Sequence, residues 1–96
     1  MSRVALVTGG TRGIGAAIAK ALQAAGYKVA ANYAGNDEAA QKFKDDTGIP
    51  VFKWDVSSFD ACVEGVKQVQ TALGPVEVLV NNAGITRDAM LHRMKP

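Results

Sequence analysis

Short unbroken apolar runs alternate four times with stretches whose apolar residues recur every three or four positions. Val4-Ala5-Leu6-Val7 is the first run, and its continuity predicts a strand buried on both faces of a parallel sheet. Glycines crowd positions 9–15, and then Ile14, Ala17, Ile18, Ala21, Leu22 and Ala25 follow helical spacing up to Gly26, which suits a C-terminal cap. A second strand is expected over 28–32. Asn36 is placed to cap a second helix, with Asp37 and Glu38 favouring its positive end. That helix should run to about Asp46, where Gly48 and Pro50 stop it. A third strand is expected over 51–54. Ser57 or Ser58 should start a third helix with Cys62, Val66, Val69 and Leu73 along one face. Gly74-Pro75 ends it before a fourth strand at 76–80. From 85 to 96 the pattern opens a fourth helical stretch.

Strands joined through helices by short connections imply βαβ units, and these cross over right-handed. The expected fold class is therefore α/β, a doubly wound parallel sheet of Rossmann type. It would hold about four strands, three helices and the start of a fourth, with the fourth strand at an edge. That is the N-terminal portion of one nucleotide-binding domain, with 1–96 covering about half of such a fold.

Composition narrows the function classes. The chain is 48% hydrophobic and 21% charged, as globular proteins are. Eleven basic against nine acidic residues give a net charge of +2, too mild and scattered for a nucleic-acid surface. No apolar run approaches the roughly 18 residues of a membrane span. A single cysteine, Cys62, excludes an internal disulfide and suits a reducing cytoplasm. Cys62 falls on an apolar helix face and reads as a small packing residue. His92, the one histidine, has no partners spaced for a metal, and no metal site is expected.

The candidate chemistry sits in three loops that follow strands. Thr8-Gly9-Gly10-Thr11-Arg12-Gly13-Ile14-Gly15 lies between the first strand and the first helix. Gly9 permits a sharp turn, Gly13 close approach of backbone to a pyrophosphate, and Gly15 close packing of helix on strand. The helix N-terminus then offers free N–H groups to phosphate. Acidic residues that bind an NAD ribose stand about 20 residues beyond such a turn. Here that place holds Asn32-Tyr33-Ala34, so no carboxylate on the strand repels a 2′-phosphate, and Arg12 is available to pair with one. NADPH is expected over NADH. Asp55-Val56 follows the third strand, where a carboxylate can accept from an adenine amino group. Asn81-Asn82-Ala83-Gly84 follows the fourth, with small residues against which a ribose can lie.

The glycine turn resembles the TGxxxGIG motif of the short-chain dehydrogenase/reductase family, and Asp55-Val56 and Asn81-Asn82-Ala83-Gly84 match its two later cofactor motifs in order and spacing. The resemblance covers the whole chain. It assigns cofactor contacts to Gly9, Thr11, Arg12, Gly13, Ile14, Gly15, Asn32, Tyr33, Asp55, Val56, Asn82, Ala83 and Gly84. Within the family, the stretch from Asn81 to Asp88 is similar to 3-oxoacyl thioester reductases. The stretch from Phe52 to Phe59 looks more like those acting on acetoacetyl-CoA than those acting on acyl-carrier-protein thioesters. An acyl-CoA thioester is thus the implied substrate, Asp88 a candidate contact to it, and a homotetramer the implied form of the complete protein. Family members use a Tyr-x-x-x-Lys pair with a serine and an asparagine. Tyr27 and Tyr33 are followed four residues later by Ala31 and Asp37, so no catalytic residue is expected within 1–96. A non-catalytic NADPH-binding module and an inactive fragment are the competing readings.

Overall fold

The computed structural model describes residues 3–11 and 13–82. Seven elements follow in the order β1 (Val4–Thr8), α1 (Gly13–Ala24), β2 (Lys28–Tyr33), α2 (Asp37–Thr47), β3 (Val51–Lys53), α3 (Phe59–Leu73) and β4 (Val76–Asn81). The strands form one parallel sheet in the order β3-β2-β1-β4. β1 is central and wholly buried, which explains its unbroken apolar run.

Side chains alternate across a strand, and each face of this sheet receives its own helices. Val4, Leu6 and Ala30 join Trp54 and Val56, which follow β3, and Val69 of α3 in one core cluster. Val7, Val29 and Ala31 join Ala19 of α1 and Phe43 of α2 in the other. The sheet is therefore covered on both faces. Progression outward from β1 runs through β2 to β3 on one side and to β4 on the other. This reversal opens a crevice between the carboxyl ends of β1 and β4, where open α/β sheets take ligands.

Several boundaries differ from the expected ones for local reasons. β2 and β4 each run one residue further, to Tyr33 and Asn81, because Tyr33 pairs with Lys53 and Asn81 with Thr8. β3 stops at Lys53, yet the Trp54 amide still donates to the Tyr33 carbonyl at 3.0 Å. Ser58 is the cap of α3, its hydroxyl accepting from the Ala61 amide at 3.2 Å. Ser57 instead serves Asp55. α1 is rotated relative to its expected apolar face. Gly15 and Ala19 are its buried residues, with Ala16, Ile18 and Leu22 packed beside them, whereas Ile14, Ala17, Ala21 and Ala25 are exposed. The close approach of Gly15 to the glycine turn sets that rotation. Cys62 packs against the α3 core cluster, its thiol directed at the Val56 carbonyl at 3.4 Å.

Arg12, Ala83, Gly84, Asp88 and the helical stretch expected over 85–96 lie outside the described residues.

Candidate cofactor site

The glycine turn is shaped by backbone that only glycine adopts readily. Gly9 and Gly13 have φ of 63° and 55°, in the left-handed region where a Cβ is disfavoured. Gly15 acts by size. A Cβ there would run into the Gly9 carbonyl and lie 2.5 Å from Asn82 Nδ2, so only glycine lets the start of α1 come this close to the end of β1. Gly10 is similarly confined, a Cβ falling 2.9 Å from the Val7 carbonyl oxygen. At Gly13, by contrast, a Cβ would meet no described residue within 4 Å. The turn is thus packed on the sheet side and open on the side where α1 begins.

Neighbouring strand ends hold this turn in place. Asn32, 1% exposed, accepts from the Gly9 amide at 3.3 Å and donates to the Trp54 carbonyl at 3.0 Å. On the other flank the Asn82 amide donates to Thr8 Oγ1 at 2.9 Å, and Asn82 Nδ2 donates to the Gly9 carbonyl at 3.4 Å. The Thr8 hydroxyl is also 3.1 Å from Asn81 Oδ1. Three strand ends are tied to one loop by side chains buried or half-buried between them.

The electrostatics of the helix starts differ. α2 begins at Asn36, whose side chain accepts from the Ala39 amide, and carries Asp37 and Glu38 in its first turn. α3 has its Ser58 cap and Asp60. α1 has no acidic residue in its first turn, and the residue before it, Arg12, has donors only. A helix start presents backbone N–H groups and a positive dipole end, the arrangement that binds phosphate.

The remaining candidate residues divide by exposure. Ile14 is 73% exposed, an apolar side chain at the mouth of the crevice, and Thr11 is half-buried in the turn. Asp55 is exposed, with Oδ1 accepting from the amide and hydroxyl of Ser57 at 2.9 and 2.7 Å. The Ser57 hydroxyl and then its amide hold the Asp55 carboxyl below the usual carboxylate range. The Val56 side chain is buried in the core, so only its backbone is available to a ligand. Asn32 is committed at both ends of its amide to the fold, and its place is that of a latch behind the turn. Tyr33 is half-buried at the end of β2. Partial burial first, and then the hydrogen-bonding and charge of Asp37, raise its hydroxyl above the ordinary value. The Asn32 and Thr8 latches were not part of the sequence reading. Their signal was a polar residue at or next to the end of each of two strands with apolar interiors. Among the described residues no cluster of His, Cys, Asp or Glu could hold a metal, and no helix is long and apolar enough to cross a membrane.

A family model described as short chain dehydrogenase matches residues 3–96. The chain belongs to the short-chain dehydrogenase family. It is 73% identical to the acetoacetyl-CoA reductase of Rhizobium meliloti and 68% identical to that of Paracoccus denitrificans, each over all of this chain and 40% of the relative. Identity to a 3-oxoacyl-[acyl-carrier-protein] reductase of Staphylococcus epidermidis is 45%, over 99% of this chain and 41% of that protein. The chain thus spans about two-fifths of the length of these curated relatives. Among solved structures, a 3-oxoacyl-reductase from Bacillus thuringiensis superposes with a TM-score of 0.82 at 28% identity, over 88% of this chain and 37% of that one. A variant of the actinorhodin polyketide ketoreductase with NADPH gives 0.79 at 39% identity, over 86% and 33%. BdcA in complex with NADPH gives 0.75 at 36% identity, over 86% and 32%. This short-chain dehydrogenase chain therefore shares the fold of two proteins solved with NADPH.

Proposed function

We propose that this chain holds NADPH for the reduction of acetoacetyl-CoA to 3-hydroxybutyryl-CoA. The observation that carries the cofactor assignment is the start of α1 at Gly13, a helix end with no acidic residue in its first turn. A Cβ would be crowded at Gly10 and Gly15, whereas at Gly13 it would meet no described residue within 4 Å, which leaves room for a pyrophosphate against the first turn of the helix. When bound, the cofactor supplies a hydride to the 3-oxo carbon. The work of this chain is to bind and orient it. Gly13 and the start of α1 take the pyrophosphate, and Asn32, Thr8 and Asn82 hold the turn at fixed height above the sheet. Asp55, two residues beyond β3, is assigned the adenine amino group, and Ala83 and Gly84, next in sequence after Asn82, the nicotinamide ribose. Arg12 pairs with the 2′-phosphate, a charge-assisted contact. The acetoacetyl-CoA assignment rests on 68–73% identity to reductases of that name, against 45% to a relative acting on the acyl-carrier-protein thioester. Asp88 is the candidate contact to the thioester.

The test is NADPH oxidation by the full-length protein with acetoacetyl-CoA and, separately, with acetoacetyl-acyl carrier protein. Faster turnover of the CoA thioester is expected. Turnover of the carrier-protein thioester alone would reassign the substrate, and turnover of neither would refute the reading.

A further inference from the structure

At the far side of the crevice from β4, a lysine and an aspartate close over the end of β2. Tyr33 and Lys53 are the last residues of β2 and β3 and stand opposite each other in register, so their side chains leave the same face of the sheet. Asp37 opens α2 four residues after Tyr33. The Lys53 ammonium lies 3.2 Å from Asp37 Oδ1 and 3.4 Å from Oδ2, and all three groups reach solvent. Lys53 first, and the Tyr33 hydroxyl next, hold Asp37 ionised below the usual carboxylate range.

The place is informative. Tyr33 is 20 residues beyond Gly13 (33 − 13), the spacing at which a Rossmann nucleotide site meets the ribose 2′-position about 20 residues past its turn. No acid stands on the strand there, but Asp37 is carried back beside Tyr33 by the tight connection through Asn36, at φ 48° and ψ 66°. An unpartnered carboxylate so placed would accept from a ribose 2′-hydroxyl and repel a 2′-phosphate. A lysine has three donors, and only one edge of this ammonium is taken by Asp37.

We propose that the Lys53–Asp37 pair sets the choice between the phosphorylated and unphosphorylated nucleotide. Lys53 cancels the Asp37 carboxylate and turns its remaining N–H groups toward the 2′-phosphate. This inference rests on the cofactor site proposed above, and it adds a selectivity element from β3 and α2, separate from the glycine turn.

The experiment is calorimetric titration of the full-length protein, of Lys53→Met and of Asp37→Asn, with NADPH and with NADH. Both residues are exposed, so both variants keep the wild-type fold. Lys53→Met is expected to lower the preference for NADPH about tenfold, because it removes a cation and frees a carboxylate at the 2′-position. Asp37→Asn is expected to raise that preference severalfold by releasing Lys53. If both nucleotides bind and the ratio of their dissociation constants stays put in both variants, the selectivity role is overturned while the cofactor site stands. If neither nucleotide binds the unaltered protein, the cofactor site itself is refuted, and this inference with it.

Discussion

The buried side chain of Asn32 joins the Gly9 amide to the Trp54 carbonyl, so the end of β2 fixes both the glycine turn after β1 and the chain leaving β3. One residue therefore sets the relative height of two of the loops that frame the crevice. This makes Asn32 a positioning residue, and it explains a polar amide in the middle of an apolar sheet.

Replacing it should be costly. Asn32→Ala leaves the Gly9 amide and the Trp54 carbonyl without their partner, and a buried polar group so orphaned costs about 1–3 kcal/mol. Urea unfolding should show a loss in that range or somewhat above it. NADPH affinity should fall as well, because the turn loses its latch. A variant as stable as the parent would show that the latch carries no weight.

Gly65 of α3 makes a second, independent prediction. A Cβ there would run into the Trp54 indole, which is buried against the helix. Helix propensity alone favours Ala over Gly by about 1 kcal/mol, but overpacking of this kind costs about 1–3 kcal/mol. Gly65→Ala should therefore destabilise despite its better propensity, with an altered Trp54 fluorescence spectrum. A rise in melting temperature would contradict the packing.

Asp55 titrates below an ordinary carboxylate because Ser57 donates to it twice. A group with a depressed folded value stabilises the fold above its unfolded value, and that contribution is lost as pH falls through the folded value. Ser57→Ala removes the hydroxyl, the larger of the two causes, and keeps the amide. The Asp55 titration, followed by carboxyl carbon NMR, should move up toward the ordinary range without reaching it. No movement would mean that the hydroxyl does not face Asp55 in solution.

Much of this organisation was legible in the sequence because its signals are local. The unbroken apolar run at Val4 to Val7, the cap at Asn36 and the glycine spacing each fix a short piece of backbone, and the order of strands and helices then leaves few topologies. The rotation of α1 was not legible. Ile14, Ala17, Ala21 and Ala25 have helical spacing, yet Gly15 and Ala19 are the residues buried, because contact between Gly15 and Gly9 outweighs the burial of small alanines. The latches were hidden for a related reason. Asn32 and Thr8 are distant in sequence from Trp54 and Asn82, and only strand register brings them together. Val56, expected at the cofactor from its motif, has its side chain in the core, which leaves its backbone for a ligand.

On the proposed function, the start of α1 beside Gly13 takes the pyrophosphate of a nicotinamide dinucleotide. The direct measurement is calorimetric titration with NADPH of the parent protein and of Gly13→Val. A valine there must adopt a positive φ that β-branched residues avoid, and its side chain would occupy the open ground. Saturable binding by the parent is expected, with at least about a tenfold loss, 1.4 kcal/mol, in the variant. Equal affinity in the two proteins would place the nucleotide elsewhere and refute the assignment of the pyrophosphate to Gly13.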